Sequence, residues 1–148
     1  MPSYGDAFYE TFVANADLGS YQYYCVACGS VVGEVKRATG ASGPGIIGIL
    51  QNNPYAGDLA NVCIFGVTKA KVSAKVLADT SLAVATNDFL TCGSTGWLQP
   101  RPTGACSAST ICNALALEAV ASGESGIIEV LLLPGIGAHT AADNLGGT

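Results

Sequence analysis

Two short apolar runs divided by a single turn limit what this chain can become. Ile46, Ile47, Ile49 and Leu50 form the first run, and Asn61-Val62-Cys63-Ile64-Phe65 the second. Between them stands Asn52-Asn53-Pro54-Tyr55-Ala56-Gly57-Asp58. Both runs are too short and too rich in β-branched residues to read as helix, and turn-forming residues bound them. Pro54 fixes φ and lacks a donor, while Gly57 takes a positive φ without steric cost, so the reversal is chemically specified. Gly66 closes the second run. Beyond it Val67, Lys69, Lys71 and Ser73 interleave with Thr68, Ala70, Val72 and Ala74, the period of two that suits a strand with one solvated face.

Strand-and-turn chemistry runs through the rest. Residues 21–28 and 31–37 read as a hairpin about Gly29-Ser30, and residues 87–92 and 97–99 as a second about Gly93 to Gly96. Residues 73–78 suit either a short helix or a continued strand. Residues 111–120 are ambiguous between helix and strand, whereas residues 127–133 (IIEVLLL) are a buried strand ended by Pro134-Gly135. Tyr4, Phe8, Tyr9 and Phe12 crowd the opening segment. It is either a first strand over residues 8–14 at a sheet edge or an arm that lays its rings on a neighbouring subunit.

The halves echo each other. Leu50 answers Leu117, Gly57-Asp58 answers Gly123-Glu124, and Val62 and Ile64 answer Ile128 and Val130. The hairpin over residues 23–35 answers that over residues 89–98. Two copies of one β-unit predict a mainly β fold, a compact barrel or sandwich with an internal pseudo-repeat, and tip residues 111–120 toward strand. The expected organisation is an N-terminal arm over residues 1–16, a β-rich domain over 17–134 and a loose tail over 135–148.

Composition bears on the surface. The chain is 49% hydrophobic but 11% charged, where ordinary soluble domains carry roughly a quarter charged residues. A 148-residue domain this poor in charge cannot cover itself with polar groups, which points to extensive contact with other protein. The net charge of −5, with six scattered basic residues, argues against nucleic acid and anionic membrane as partners. No apolar stretch approaches the roughly twenty residues that span a bilayer. Asp6 and Glu10 stand where a signal peptide would be apolar.

Little here reads as chemistry. Cys25 and Cys28 are the only pair with ligand or redox spacing, and on a strand residues three apart face opposite ways. A zinc site needs four ligands, and Cys63, Cys92, Cys106 and Cys112 supply no second close pair. The cysteines therefore read as packing residues, with a small metal-binding or redox β-domain on Cys25 and Cys28 as the alternative. His139 and Asp143 lie in a Gly/Ala tail that cannot hold a catalytic base against a nucleophile. The carboxylates fall mostly at turns, and no GK[ST] follows the glycine-rich loops. No catalytic residue, cofactor or metal is expected.

In order and spacing, DLGSYQYYCVAC, GIIGILQNNPYAGDLANVCIFGVTKAKV and ALEAVASGESGIIEVLLLP, over residues 17–134, resemble the bacteriophage capsid decoration (cement) protein family. The resemblance implies a small β-rich protein without catalysis. It would bind the outside of an icosahedral head as a homotrimer, bridging copies of the major capsid protein, on virions assembled in the host cytoplasm. The aromatic N-terminus, the six cysteines and the Gly-rich tail depart from the family. The residues expected to touch capsid or neighbouring subunits are Tyr4, Phe8, Tyr9, Phe12, Tyr55 and Trp97. Removing residues 1–12 is expected to weaken docking while sparing the fold.

Overall fold

The computed structural model describes residues 7–39, 45–75, 83–100 and 111–137. Its strands are β1 (Phe8–Ala14), β2 (Cys25–Cys28), β3 (Glu34–Arg37), β4 (Gly48–Leu50), β5 (Leu59–Ser73), β6 (Phe89–Cys92), β7 (Leu98–Pro100), β8 (Ile111–Ala116) and β9 (Ser125–Gly137). No helix occurs among the described residues. Strands β1-β3-β2-β4-β5 pair in that order and β1 returns to β5, which closes one barrel. Strands β5-β7-β6-β8-β9 pair likewise and β9 returns to β5, closing a second. The mainly β class and the internal repeat are thus present, as two fused barrels rather than one.

The strand shared by both barrels is the stretch that sequence divides in two. Its first half pairs antiparallel with β1, from Val13↔Leu59 to Phe8↔Phe65. Its second half pairs antiparallel with β9, from Gly66↔Leu132 to Ser73↔Ser125. Gly66 has φ +103°, so the glycine expected to end a strand kinks it instead and passes it to the second barrel. Alternation along β5 buries Ala60 and Val62 in one barrel and Ala70 and Val72 in the other.

The duplication is visible bond by bond. Gly29 N–H donates to the Glu34 carbonyl and Gly93 N–H to that of Trp97, each closing a hairpin. Leu50 N–H donates to Tyr24 and Ala116 N–H to Asp88. Asp58 N–H donates to Tyr55 and Glu124 N–H to Ala121 across matching turns. Asn61 N–H is capped by Asn52 Oδ1 at 2.9 Å and Glu129 N–H by Glu118 Oε2 at 2.8 Å. The matching pairs are therefore Leu50 with Ala116 and Val62 with Val130, because the second copy carries two extra residues between turn and strand. The alignment read from sequence is correct at Gly57-Asp58 and slips around it.

Two apolar clusters follow. Ala14, Leu18, Val26, Val35, Leu50, Ala60 and Val62 fill the first barrel. The other fills the second barrel with Val72, Leu90, Leu98, Val130 and Leu132 and reaches across to Cys25, Ala27 and Ile49 on the opposite faces of β2 and β4. That is why β2 and β4 are buried on both sides.

Several strand ends differ from expectation. Residues 21–24 are a turn, with Tyr24 N–H donating to Tyr21, and residues 31–33 form the hairpin tip. β9 continues through Pro134 to Gly137, since the register shift on β8 between Cys112 and Ala114 opens the ladder where a proline lacks its donor. Residues 8–14 form the strand of the two readings offered, and β1 closes the first barrel. A truncation that reaches Phe12 would open it, so a fold-sparing deletion must stop before Ala7. Ser73 closes β5; the rest of the alternative helix over residues 73–78 falls largely outside the described residues, as does the tail beyond 137.

Candidate functional site

The residues expected to make contacts are dispersed. Phe8 and Tyr9 are exposed on β1, and the Phe8 ring lies 6.0 Å from that of Phe65 across the β1–β5 ladder. Phe12 on the same strand turns inward and packs, half-buried, against the first core. Tyr55 is exposed on the turn before β5. Tyr4 lies outside the described residues. Burial raises the Tyr9 phenol above its ordinary pKa, with a smaller push from Cys63.

Trp97 joins the two barrels within the chain. Its ring meets Tyr24 edge-on at 5.9 Å and lies 5.1 Å from Lys71 Nζ. Tyr24 in turn meets Tyr21 at 5.2 Å, and Arg37 caps the Tyr21 ring at 4.7 Å. This file of rings and cations, each contact worth about 0.5–1 kcal/mol at a partly exposed site, is a seam between the copies. Backbone bonds reinforce it, from Lys71 N–H to Tyr23 and from Cys25 N–H to Gly96.

Beside the seam lies a groove of about 360 Å³, lined by Tyr9, Tyr23, Gln51, Thr68, Lys69 and Glu129 among others. Lys69 and Glu129 are direct cross-strand partners, so together they add no net charge to the groove. Tyr23 holds φ +68° and its counterpart Asn87 holds φ +73°. Asparagine accepts this conformation readily, whereas a bulky side chain there costs roughly 1–2 kcal/mol.

The cysteines pack. Cys25 is fully buried in the second cluster and Cys28 is exposed at the other end of β2, so the two thiols point apart and do not converge on one ion. Among the described residues no three His, Cys, Asp or Glu side chains gather to hold a metal. Burial, with the neighbouring Cys92, pushes the Cys25 thiol well above its usual pKa, and burial raises Cys63 too. Thiolate is the reactive form, so maleimide at neutral pH should label Cys28 long before Cys25 or Cys63. Peptide mass mapping tests this; equal labelling of Cys25 in folded protein would contradict the packing described.

Sequence reasoning missed an apolar set around the C-terminal end of β1. Val13 N–H donates to the Gly33 carbonyl at the β2–β3 hairpin, Val13 pairs with Leu59, and Gly57 N–H donates to Ala14. Exposed Val13, Val31, Val32 and Leu59 therefore gather at one place. A cleft of about 310 Å³ opens under the hairpin, lined by Phe12, Cys28, Val31, Val32, Glu34 and Ile47 among others. The sequence signal was two valines between Gly-Ser and Gly, at a position where a hairpin needs no hydrophobe.

No family model matches the sequence, and no curated protein matches it. The fold is similar to that of the N base of head fiber gp8.5 in bacteriophage phi29. The two are 18% identical, with a TM-score of 0.51 over 88% of this chain and 97% of that one. At this identity the likeness is one of fold.

Proposed function

We propose that this chain is a structural protein of a phage virion, one that binds the outer surface of the capsid and stabilises the shell. The observation that carries the reading is the likeness to a head-fiber base along nearly its whole length. Low charge and an apolar, partly uncovered first barrel support it independently. The role is mechanical rather than catalytic. In the finer form of the proposal the protein acts as a homotrimer, bridges subunits of the major capsid protein, and joins virions assembled in the host cytoplasm. Segments at the two chain ends serve as arms, and Tyr4, Phe8, Tyr9, Phe12, Tyr55 and Trp97 contribute to contacts with capsid or neighbouring copies. Many weak sites, repeated over a shell, add up to a large resistance to rupture.

The test is reconstitution. Light scattering on the purified chain is expected to give three times the chain mass. Electron microscopy is expected to find added protein on the exterior of shells from the source phage, and those shells should survive higher temperature than bare ones. A monomer that leaves bare shells unchanged would refute the proposal.

A further inference from the structure

Because the chain is a tandem repeat, each surface of one copy has a counterpart in the other. The hairpin tip of the second copy is docked. Its Gly96 carbonyl accepts from Cys25 N–H at 2.8 Å, and a Cβ on Gly96 would stand 3.0 Å from both the Ala38 carbonyl oxygen and Arg37 Cγ. The tip of the first copy bonds only within its own barrel, its Gly33 carbonyl accepting from Val13 N–H, and its outer side is open: Gly33, at φ +85° against +84° for Gly96, has nothing within 4 Å of such a Cβ.

The side chains at the two tips differ in kind. Ser94 and Thr95, beside the docked Gly96, are exposed and polar, while the open tip, one residue longer, carries Val31 and Val32 at 62% and 101% exposure. The second copy makes its hairpin without hydrophobes, so folding does not require the valines. Beneath them the cleft adds Phe12 and Ile47, both only half-buried. An element that forms the contact between copies in one repeat is, in the other, apolar and uncovered.

We propose that the Val31-Val32 tip and the cleft below it are the docking site for the capsid protein, with the first barrel facing the shell; this rests on the virion reading above. A second copy is the wrong occupant by charge. Glu34 holds the position of Trp97 in the hairpin, and Asp88 that of Tyr24 in the receiving turn. Head-to-tail stacking of two chains in the geometry used within the chain would set Glu34 against Asp88, two carboxylates where the intrachain seam has stacked rings. Asp17 and Asp58 also flank the C-terminal end of β1, and Glu34 Oε2 accepts from Asn15 Nδ2 at 2.7 Å; Lys36 shares the outward face of β3 with Glu34, while Arg37, Lys69 and Lys71 lie toward the seam between barrels. The complementary surface is an apolar side chain for the cleft, set beside Lys or Arg that face Glu34.

The test uses the full chain and shells of the source phage prepared without it. Val31→Ser with Val32→Thr copies the chemistry of the second tip, and thermal melting checks that the fold survives. Shell binding is expected to weaken about thirtyfold, as for a central apolar anchor. Glu34→Lys should weaken it further, and Phe89→Ser, at the exposed first residue of β6 in the second barrel, should leave it within about twofold. As a readout free of substitutions, maleimide labelling of Cys28 should be suppressed on bound protein. Full binding by a folded Val31/Val32 variant, or loss with Phe89→Ser alone, would overturn the assignment and leave the virion reading standing. A tip variant that loses its oligomeric mass would put a second copy there and equally overturn it. Failure of the unaltered chain to bind shells would remove the virion reading and this assignment together.

Discussion

Gly48→Ala is expected to lower the unfolding free energy by about 3 kcal/mol, at the upper end of what overpacking a closed core costs. Gly48 is buried on β4 between Val26 of β2 and the middle of β5. A methyl group there would fall against the Cys63 carbonyl oxygen and within 2.7 Å of Val62 Cγ1. Since the carbonyl belongs to the ladder and cannot swing aside, β4 must leave β5 and the first barrel must gape. The duplicated fold supplies its own control. Ala114 occupies the matching place in the second copy, fully buried, so alanine is compatible with the motif but not with the closer approach in the first barrel. Ala114→Gly should cost only about 1–2 kcal/mol, from a lost methyl and added backbone freedom. Chemical denaturation of both variants checks the contrast; equal effects would mean that the β4–β5 approach is looser than described.

Leu90→Ala should cost about 3 kcal/mol, as for a large aliphatic side chain removed from a packed core. Leu90 is fully buried on β6, which pairs with β7 and β8. The informative result lies in the other barrel. With β5 common to both, the first barrel cannot stay closed once the second opens, and Cys25, Ala27 and Ile49 lose their cover as well. Trp97 fluorescence and far-ultraviolet circular dichroism should therefore shift together, by roughly 10 °C in Tm. Amide exchange at Val26 and Val35 should quicken by about 10²-fold, the factor that corresponds to about 3 kcal/mol. Two separate transitions, with Val26 still protected, would show that the barrels unfold independently.

Much of this architecture could be read from residue order, and the failures have physical causes. The apolar runs about Asn52–Asp58 and the period of two after Gly66 located β4 and both halves of β5, because local pattern determines local strand. Gly66 concealed that the halves are one strand, since a glycine that ends a strand and one that kinks it look alike until a partner is known. Pro134 misled in the same way, its missing donor falling where the ladder is interrupted. Tyr23 could not be foreseen as a turn residue; only its counterpart Asn87 carries the expected side chain. Barrel closure rests on β1 meeting β5 some fifty residues later and on β9 meeting β5 again, pairings that no local pattern encodes. Phe8, Tyr9 and Tyr55, aromatics expected at the surface, are exposed. A lone tryptophan in a turn-rich stretch looks the same whether it faces outward or inward, so the place of Trp97 against Tyr24 and Lys71 depends on the duplication. Val31 and Val32 escaped notice because a Val-Val pair beside a strand reads as more strand.

The common strand also settles how load would travel. Two domains joined by a linker part at the linker, and two that merely touch part at the contact. Here a tug on one barrel reaches the other along the covalent main chain of β5, whose 15 residues extend to at most about 50 Å. Hydrogen-bonded ladders with β1 and β9 brace that span on either side. Such a body has no hinge at which to yield, and it transmits tension as a unit.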